Sequence, residues 1–172
     1  MAEALATISE VSGLGMIQIR ADLAASGAAI AGAAGVDLPF PTRITQNAAR
    51  ALGWMSPDEL LLVLPAAEVA GVMAALDAAL AGDHALVVDV SDMRAVFDVS
   101  GARAGQVLAK LSPTDFAGLA EDALRRTRLG QVACGIWAVA GGYRVIGFRS
   151  VADYIAGVLS AAAKPGSQLD PR

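Results

Sequence analysis

The sequence contains few of the residues that form redox and metal sites. Among 172 residues there are one cysteine, Cys134, and one histidine, His84. A single cysteine excludes an intrachain disulfide, and these two residues are too few for a zinc cage. Only carboxylates remain as metal ligands, and they form no compact acidic motif. The sequence therefore predicts no metal site.

Motifs that bind phosphate or activate a serine are also missing. Neither G-x-G-x-x-G nor G-x-x-x-x-G-K-[ST] occurs, and there is no G-x-S-x-G nucleophile elbow. The pair Gly141-Gly142 fits a hairpin turn instead, because glycine permits the positive φ of such turns. The sequence predicts no cofactor-binding loop and no catalytic serine.

Charge and hydrophobic length exclude two classes of partner. Thirteen Lys and Arg against 17 Asp and Glu give a net charge of −4 and a pI near 4.9, which argues against a general nucleic-acid binder. The longest run of small apolar residues, 24–36, falls short of the ~20 residues that span a bilayer. The N-terminus has Glu3 and Glu10 but no basic residue before Arg20, unlike a secretory signal peptide. We therefore expect a soluble, cytoplasmic chain that binds neither nucleic acid nor membrane.

Apolar residues are abundant. They make up 55% of the chain, the mean hydropathy is +0.53, and only 17% of residues are charged, against about 25% in typical domains. Much of the excess is alanine, which is often exposed. Two explanations stay open: exposed alanine on a single chain, or an apolar surface covered by a partner. The second explanation predicts poor solubility or self-association of the isolated chain.

Hydrophobic periodicity predicts a first unit over residues 14–90 with the element order βαββαβ. Residues 16–20 alternate as a half-buried strand, and Asp22 is placed to cap the helix that follows. The other predicted elements are a strand at 44–54, a buried strand at 60–64, a helix that opens at Pro65, and a strand at 84–90.

The pattern then repeats over residues 93–163 as βαββα. The predicted elements are a strand at 95–99, a helix with its apolar face at 104–111, strands at 131–139 and 143–148, and a helix from Ser150. The polar segment 121–128 is predicted to add a further helical turn. Residues 1–13 and 164–172 are predicted to be flexible tails.

Weak internal similarity supports a duplication. An offset of 78 residues aligns 17–19 with 95–97, and an offset of 86 aligns 70–73 with 156–159. Two such units predict an α+β fold, with duplicated β-α-β-β-α, ferredoxin-like units packed as one compact domain.

Two single residues are candidates for catalysis, and each has a simpler explanation. His84 has the chemistry of a general base, but its place at the start of a strand is also typical of a partly exposed residue. Cys134 has the chemistry of a nucleophile, but in an alternating strand it also fits as a small buried hydrophobe. No catalytic, cofactor-binding or metal-binding residue is assigned.

Polar residues between the two units form a second candidate. Asp89, Ser91, Asp92 and Arg94 either bind a polar ligand or hydrogen-bond their own backbone in a connector. We favour the connector.

The candidate interface residues are Trp54 and the basic cluster Arg125, Arg126 and Arg128. The arginines form either a docking patch for an acidic partner or anionic ligand, or a solvated, partly helical face. Trp54 is either part of the core or an interface anchor, since tryptophan is enriched at interface hot spots. Trp137 is expected to fill the core.

Five segments, taken in order, carry a family resemblance. They are WMSPDELLL at 54–62, VDVSDMRA at 88–95 followed by VSGARA at 99–104, KLSPTDF at 110–116, TRLGQVA at 127–133, and RSVADY at 149–154. They resemble the W-x-x-P-D-E-x-L-L, V-D-V-S-D-x-R, S-G-x-R-A and R-S-F-A-D-Y segments of the gamma subunit family of heterotetrameric sarcosine oxidase. The resemblance covers roughly residues 42–160.

The resemblance implies an aminomethyltransferase-like (glycine-cleavage T-protein-like) fold and a complex with alpha, beta and delta subunits. Such complexes oxidatively demethylate sarcosine to glycine with hydrogen peroxide as by-product. The one-carbon unit passes to tetrahydrofolate, giving 5,10-methylenetetrahydrofolate, or leaves as formaldehyde. FAD, FMN, NAD and tetrahydrofolate are expected in the partner subunits and none in this chain.

Two hypotheses about function follow. In the first, the chain is a non-catalytic structural subunit that buries apolar surface around Trp54 and the alanine-rich helix at 22–34. In the alternative, it is a stand-alone binder of folate or a related one-carbon carrier, using Asp89, Asp92, Arg94 and Trp54. An enzyme in its own right has the least support.

Overall fold

A computed structural model describes residues 3–47 and 49–169 of the chain, and shows strands interleaved with short helices. In chain order the elements are β1 (Thr7–Glu10), β2 (Leu14–Arg20), α1 (Leu23–Ala34), β3 (Ile44–Gln46), β4 (Ala51–Ser56), β5 (Glu59–Pro65), α2 (Val69–Ala79), β6 (Leu86–Asp89), β7 (Arg94–Ser100), α3 (Ala104–Ala109), β8 (Leu124–Leu129), β9 (Val132–Val139), β10 (Gly142–Phe148) and α4 (Ala152–Ala162).

The chain divides into two compact units, Gly13–Ser91 and a second formed by Met1–Ser12 with Asp92–Arg172. The first unit holds an antiparallel sheet in the order β3-β4-β5-β2-β6. The second holds an antiparallel sheet in the matching order β8-β9-β10-β7-β1. The predicted α+β class with two duplicated units is confirmed, although each sheet has five strands, one more than predicted for the first unit and two more than predicted for the second.

The core of the first unit lies between its sheet and its two long helices. Ile17 and Leu62 from the sheet and Ile30 and Leu76 from the helices are completely buried there. The continuous apolar run of β5 is buried on both faces, since Leu61, which points away from these helices, is only 5% exposed. This confirms the prediction of a well-buried strand at 60–64.

Helix α1 begins and ends at the residues that its sequence indicates. The Asp22 carboxylate accepts hydrogen bonds from the backbone N–H groups of Ala24 at 3.0 Å and Ala25 at 3.4 Å. Gly35, with a φ of 66°, ends the helix in the left-handed conformation. The predicted cap at Asp22 is confirmed.

Strands β1 and β6 each pair with a strand that is distant in the sequence and not with the strand that follows them directly. β1 directly precedes β2 in the chain but pairs with β7, with Thr7 opposite Ser100. β6 directly precedes β7 but pairs with β2, with Leu86 opposite Arg20. The two exchanges are equivalent, because β1 and β6 occupy the same edge position in their respective sheets.

This exchange makes the predicted flexible tail at 1–13 wrong for residues 5–11, while residues 1 and 2 lie outside the described residues. Besides the β1 ladder, Val11 N–H donates to the Val96 carbonyl at 2.8 Å, and Leu5 N–H donates to the Ala163 carbonyl at 2.9 Å. All of these partners lie far away in the sequence. Local periodicity carries no information about such pairing, so the segment resembled a tail.

The C-terminal segment also has contacts as far as it is described. The Lys110 ammonium group donates to the carbonyl oxygen of Ser167 at 2.6 Å and to its hydroxyl at 2.9 Å. Residues 170–172 of the predicted tail at 164–172 lie outside the described residues.

Two element predictions are wrong. The predicted strand at 44–54 is two strands, because the Asn47 side chain accepts hydrogen bonds from the N–H groups of Ala49 and Arg50 and turns the chain there. The predicted helical turn at 121–128 includes most of β8, which pairs with β9 along its whole length. Charged residues on an edge strand removed the apolar alternation that identifies a strand.

The duplication is real, but the predicted offsets are displaced. Ile17 lies opposite Leu62 in the first sheet, and Phe97 lies opposite Val145 in the second, so Ile17 corresponds to Phe97 at an offset of 80 rather than 78. The matching helices α2 and α4 lie 83 residues apart rather than 86. A shift of two residues in a strand or three in a helix leaves side chains on the same face. For this reason the residues predicted to be buried are buried despite the wrong offsets.

Candidate interaction surface

The thiol of Cys134 is buried and unreactive. Cys134 is 8% exposed and faces the helices from β9, among the core residues of its unit. Burial raises the pKa of the Cys134 thiol to about 12. Because the thiolate is the reactive form, the interpretation as a small buried hydrophobe fits and the nucleophile does not.

This burial makes a direct prediction for thiol chemistry. At pH 8 a thiol with a pKa of about 12 is ionised on the order of one part in ten thousand. We expect iodoacetamide to leave native Cys134 unmodified over hours and to alkylate it within minutes in urea. Mass spectrometry measures the modified fraction over time. Rapid alkylation of Cys134 in the native chain would contradict its burial.

The same thiol affects stability at high pH. Since its pKa is higher in the folded than in the unfolded chain, its contribution to the free energy of unfolding is complete below about pH 9. That contribution is lost as the pH rises toward 12. Cys134→Ala is the control that lacks this loss.

His84 lies in an exposed bend before β6. This position matches the simpler of its two interpretations, a partly exposed residue at the start of a strand.

The polar connector between the units satisfies its own backbone. The Asp89 carboxylate accepts from the Ser91 N–H at 2.9 Å and from the Ser91 hydroxyl at 2.5 Å, and these bonds lower the pKa of Asp89. The Ser91 hydroxyl oxygen in turn accepts from the Met16 N–H at 3.0 Å. The Arg94 guanidinium lies 4.3 Å from the ring centre of Phe148, a cation–π contact. These side chains act as structural groups of the connector.

The three arginines do not form one patch. All three are exposed on β8, which is the edge strand of its sheet. Arg125 lies opposite the core residue Ile136 and therefore projects on the helix side of the sheet. Arg126 and Arg128 project on the other face, because side chains alternate along a strand. Two separate basic surfaces replace the predicted cluster, and neither is helical.

The two tryptophans differ in environment. Trp54 is half-buried on β4 and packs against the core of the first unit. Trp137 is 1% exposed but lies on the face of β9 that points away from the helices, between Leu124 and Arg144 in the ladder. Trp54 therefore keeps some accessible surface, whereas Trp137 has a purely structural place.

An open cavity beside α3 has few reactive groups. It measures about 670 Å³ and is lined by the start of α3 together with Leu119, Glu121, Ala138 and Tyr143. The Gln106 side-chain oxygen is buried at its wall without a hydrogen bond to the described residues. The lining offers a carboxylate, an amide and the Tyr143 hydroxyl, but among its described residues no serine, cysteine or histidine. The Tyr143 hydroxyl donates to the Phe116 carbonyl at 3.3 Å and is engaged in the fold.

Residues 3–47 and 49–169 hold neither a metal-ligand cluster nor a membrane-spanning helix. That part of the chain contains no group of three or more His, Cys, Asp or Glu side chains able to hold a metal ion. It also contains no helix that is long and apolar enough to cross a membrane.

The helices of the first unit expose mostly alanine and glycine. Their exposed positions are Ala24, Ala25, Ala28, Ala29, Gly32, Ala70, Gly71, Ala74, Ala75, Asp77, Ala78 and Ala79. Asp77 is the one charged side chain in α1 and α2. Removing water from such a surface costs little, because it carries almost no charge to desolvate.

Sequence reasoning missed one residue of this unit, Phe40. Its side chain is 82% exposed, in the loop between α1 and β3. The signal was present in the sequence, because Pro39 and Pro41 flank a large aromatic residue, but this pattern indicated only a loop.

The family comparison matches most of the chain. The model of the sarcosine oxidase, gamma subunit family matches residues 19–163. The sarcosine oxidase subunit gamma of Arthrobacter sp is 36% identical over 111 residues, which are 63% of this chain and 54% of the relative. The chain thus spans about half the length of the curated relatives it matches.

Solved structures match over nearly the full fold. A chain of the heterotetrameric sarcosine oxidase from Corynebacterium sp. U-96, in complex with pyrrole 2-carboxylate, has a TM-score of 0.87 and 26% identity over 97% of this chain and 88% of its own. The glycine cleavage system aminomethyltransferase T from Bartonella henselae has a TM-score of 0.69 and 17% identity, over 92% of this chain and 46% of its own. The second match shows the fold alone, and it agrees with the predicted aminomethyltransferase-like fold.

Proposed function

Because this chain belongs to the sarcosine oxidase gamma subunit family, we propose that it is a non-catalytic assembly subunit of a heterotetrameric sarcosine oxidase. The observation that carries the proposal is the match, over 97% of this chain, to a chain of such a heterotetramer. In the proposed complex the alpha, beta and delta subunits are its partners in the cytoplasm.

The assembly role is supported by how the polar side chains are used. Asp89 and Ser91 bond to one another, and Arg94 stacks on Phe148. Burial keeps the Cys134 thiol protonated. These four side chains are thus already engaged in holding the fold.

The reaction of the proposed complex is the oxidative demethylation of sarcosine to glycine with formation of hydrogen peroxide. The one-carbon unit goes to tetrahydrofolate, giving 5,10-methylenetetrahydrofolate, or is released as formaldehyde. FAD, FMN, NAD and tetrahydrofolate belong to the partner subunits in this proposal.

The residues of this chain do not fit a dinucleotide. A pyrophosphate is usually held by free N–H groups at a helix N-terminus. At the start of α1 these groups are bonded to the Asp22 carboxylate. Glu68 lies at the N-cap position of α2 with its carboxylate bonded to Arg50, and Asp153 lies in the first turn of α4. These carboxylates disfavour a second anion, so we derive no step through a flavin or NAD here.

The folate-binding alternative gains no support from three of its four residues, and the fourth, Asp92, is exposed. Trp54 packs against the core of the first unit, Asp89 is bonded to Ser91, and Arg94 stacks on Phe148. The contacts of Asp89 and Arg94 are within the chain and do not converge on a pocket of their own unit. Trp54, Arg125, Arg126 and Arg128 are proposed as contacts with the partner subunits.

The proposal predicts a contrast between the chain alone and the chain in its complex. Purified alone, the full chain should show no flavin absorption in the visible range and no sarcosine-dependent peroxide formation. The complex that contains it should show both. Sarcosine oxidation by the chain alone, after added flavin, would contradict the non-catalytic role.

A further inference from the structure

The loop between α1 and β3 holds a large aromatic side chain in water. Phe40 is 82% exposed, whereas the other exposed Phe, Phe148, is 43% exposed and carries the Arg94 guanidinium on its ring. We propose that Phe40 is the anchor by which this chain docks into an apolar pocket of another subunit of the sarcosine oxidase complex. This inference rests on the proposed function.

The loop is held in place on both sides of Phe40. Before it, the Leu38 side chain packs on α1 so closely that a Cβ on Gly27 would lie 2.6 Å from a Leu38 methyl carbon. After it, the Thr45 hydroxyl donates to the Asp37 carbonyl. The Asn47 side-chain amide donates to the Gly35 carbonyl at 2.9 Å. The outward position of Phe40 is therefore a property of a fixed loop.

The backbone beside Phe40 is strained. Thr42 has a φ of 65°, the one positive value among the described non-glycine residues. A β-branched residue is strongly disfavoured in this region, where glycine or asparagine is usual. Pro41 and Thr42 form a turn closed by the Arg43 N–H, which donates to the Phe40 carbonyl at 3.0 Å. Strain of this kind persists where surrounding contacts fix the conformation and is concentrated at ligand clamps and other functional sites.

Preorganisation explains how such a loop would serve binding. A loop whose backbone is already fixed loses little conformational freedom when one of its side chains enters a pocket. Pro39 and Pro41 restrict the backbone on both sides of Phe40, because each proline fixes its own φ. The backbone thus presents the Phe40 side chain outward, and docking has to immobilise the side-chain torsions of this one residue only.

The charges around Phe40 define the chemistry of the pocket. Residues 38–42 carry no charge, while Asp37 precedes them and Arg43 follows them. Interfaces typically have an apolar centre surrounded by a polar rim. The partner surface that fits is an apolar pocket able to hold one phenyl ring, with polar groups of both signs at its edge. The heterotetrameric context of the matched structure favours a different subunit over a second copy of this chain.

The test uses the full chain in its own complex. Tagged wild-type chain and the variants Phe40→Ala, Phe40→Asp and Phe40→Leu are expressed in source cells that lack the untagged copy. Phe148→Ala is the matched control, because that ring is exposed but has a partner within the chain. The large flavin-bearing subunits recovered with each tag are identified by mass spectrometry, and their dissociation constant is measured.

We expect Phe40→Ala to weaken binding about 30-fold, as for an interface hot spot. Phe40→Asp should abolish recovery, whereas Phe40→Leu and Phe148→Ala should retain it. The circular dichroism and melting temperature of each Phe40 variant should equal those of the wild type, because an exposed side chain contributes little to folding. Phe148→Ala removes the contact with Arg94, so a small loss of stability is expected in that control.

Each other outcome overturns the inference in a distinct way. Recovery of the large subunits by Phe40→Asp at the wild-type level would overturn the anchor and leave the proposed function standing. Failure of the wild-type chain to recover them would overturn both. Dimers of the isolated chain that Phe40→Asp dissociates, with the complex unaffected, would assign the residue to self-association instead.

Discussion

Replacing Trp137 with alanine is expected to lower the free energy of unfolding by about 3–5 kcal/mol. The indole is 1% exposed and lies between Leu124 and Arg144 in the ladder. Arg144 is itself bonded to Asp98 through two hydrogen bonds of 2.7 and 3.0 Å. Truncation leaves a cavity beside this ion pair, in a sheet that cannot easily collapse. Urea unfolding followed by circular dichroism gives the measurement.

Two variants make the Trp137 prediction specific. The indole N–H of Trp137 has no hydrogen-bond partner among the described residues. Trp137→Phe removes this unpaired donor and keeps most of the ring, so it should cost about 1 kcal/mol or less. Trp54→Ala, at a half-buried site, should cost less than Trp137→Ala. Equal losses for Trp137→Phe and Trp137→Ala would contradict the account.

Replacing Gly142 with alanine is expected to lower the free energy of unfolding by about 3 kcal/mol. A Cβ at Gly142 would lie 2.1 Å from the Val99 carbonyl oxygen and 2.9 Å from the Ser100 Cα. Both are backbone atoms of β7, so relief requires β7 and β10 to move apart. Glycine is needed at position 142 because of this close approach and not because of its φ. In this turn it is the neighbour Gly141 that has a positive φ, of 79°.

Two other glycines provide the matched series. A Cβ at Gly141 would meet nothing within 4 Å, so Gly141→Ala should cost only the left-handed conformation, about 1–2 kcal/mol. Gly71 lies exposed in α2 with nothing within 4 Å, and Gly71→Ala should raise the free energy of unfolding by about 0.5–1 kcal/mol. The unfolding midpoint should therefore be highest for Gly71→Ala, lower for Gly141→Ala and lowest for Gly142→Ala. Any other order would contradict the close contact at Gly142.

The elements with strong local periodicity were predictable from the sequence. The buried run of β5, the hairpin of β9 and β10 and the cap at Asp22 follow from side-chain patterns within a few residues. The duplication was also detectable, because equivalent strands and helices keep the same buried face.

The missed features depend on distant parts of the chain. β1 looked like a tail because its only ladder partner, β7, lies about 90 residues away. β8 looked helical because Arg125, Arg126 and Arg128 obscure its alternation, and only pairing with β9 reveals it. Phe40 was missed because exposure is a property of the folded loop and composition does not record it.

For the candidate site, the sequence predicted the kind of site but not its geometry. The sequence indicated an interaction surface and no catalytic centre, and it named Trp54 and the arginines of β8. Which face each arginine occupies follows from strand register, which the sequence left undetermined. For the same reason the predicted basic cluster separated into two surfaces.

The most direct test of the assembly role is purification of the tagged wild-type chain from its source cells under native conditions. The eluate is analysed by mass spectrometry and assayed for sarcosine-dependent peroxide. The account predicts large flavin-bearing subunits in fixed ratio to this chain, together with sarcosine-oxidising activity. A chain recovered without those subunits and without that activity would contradict the account.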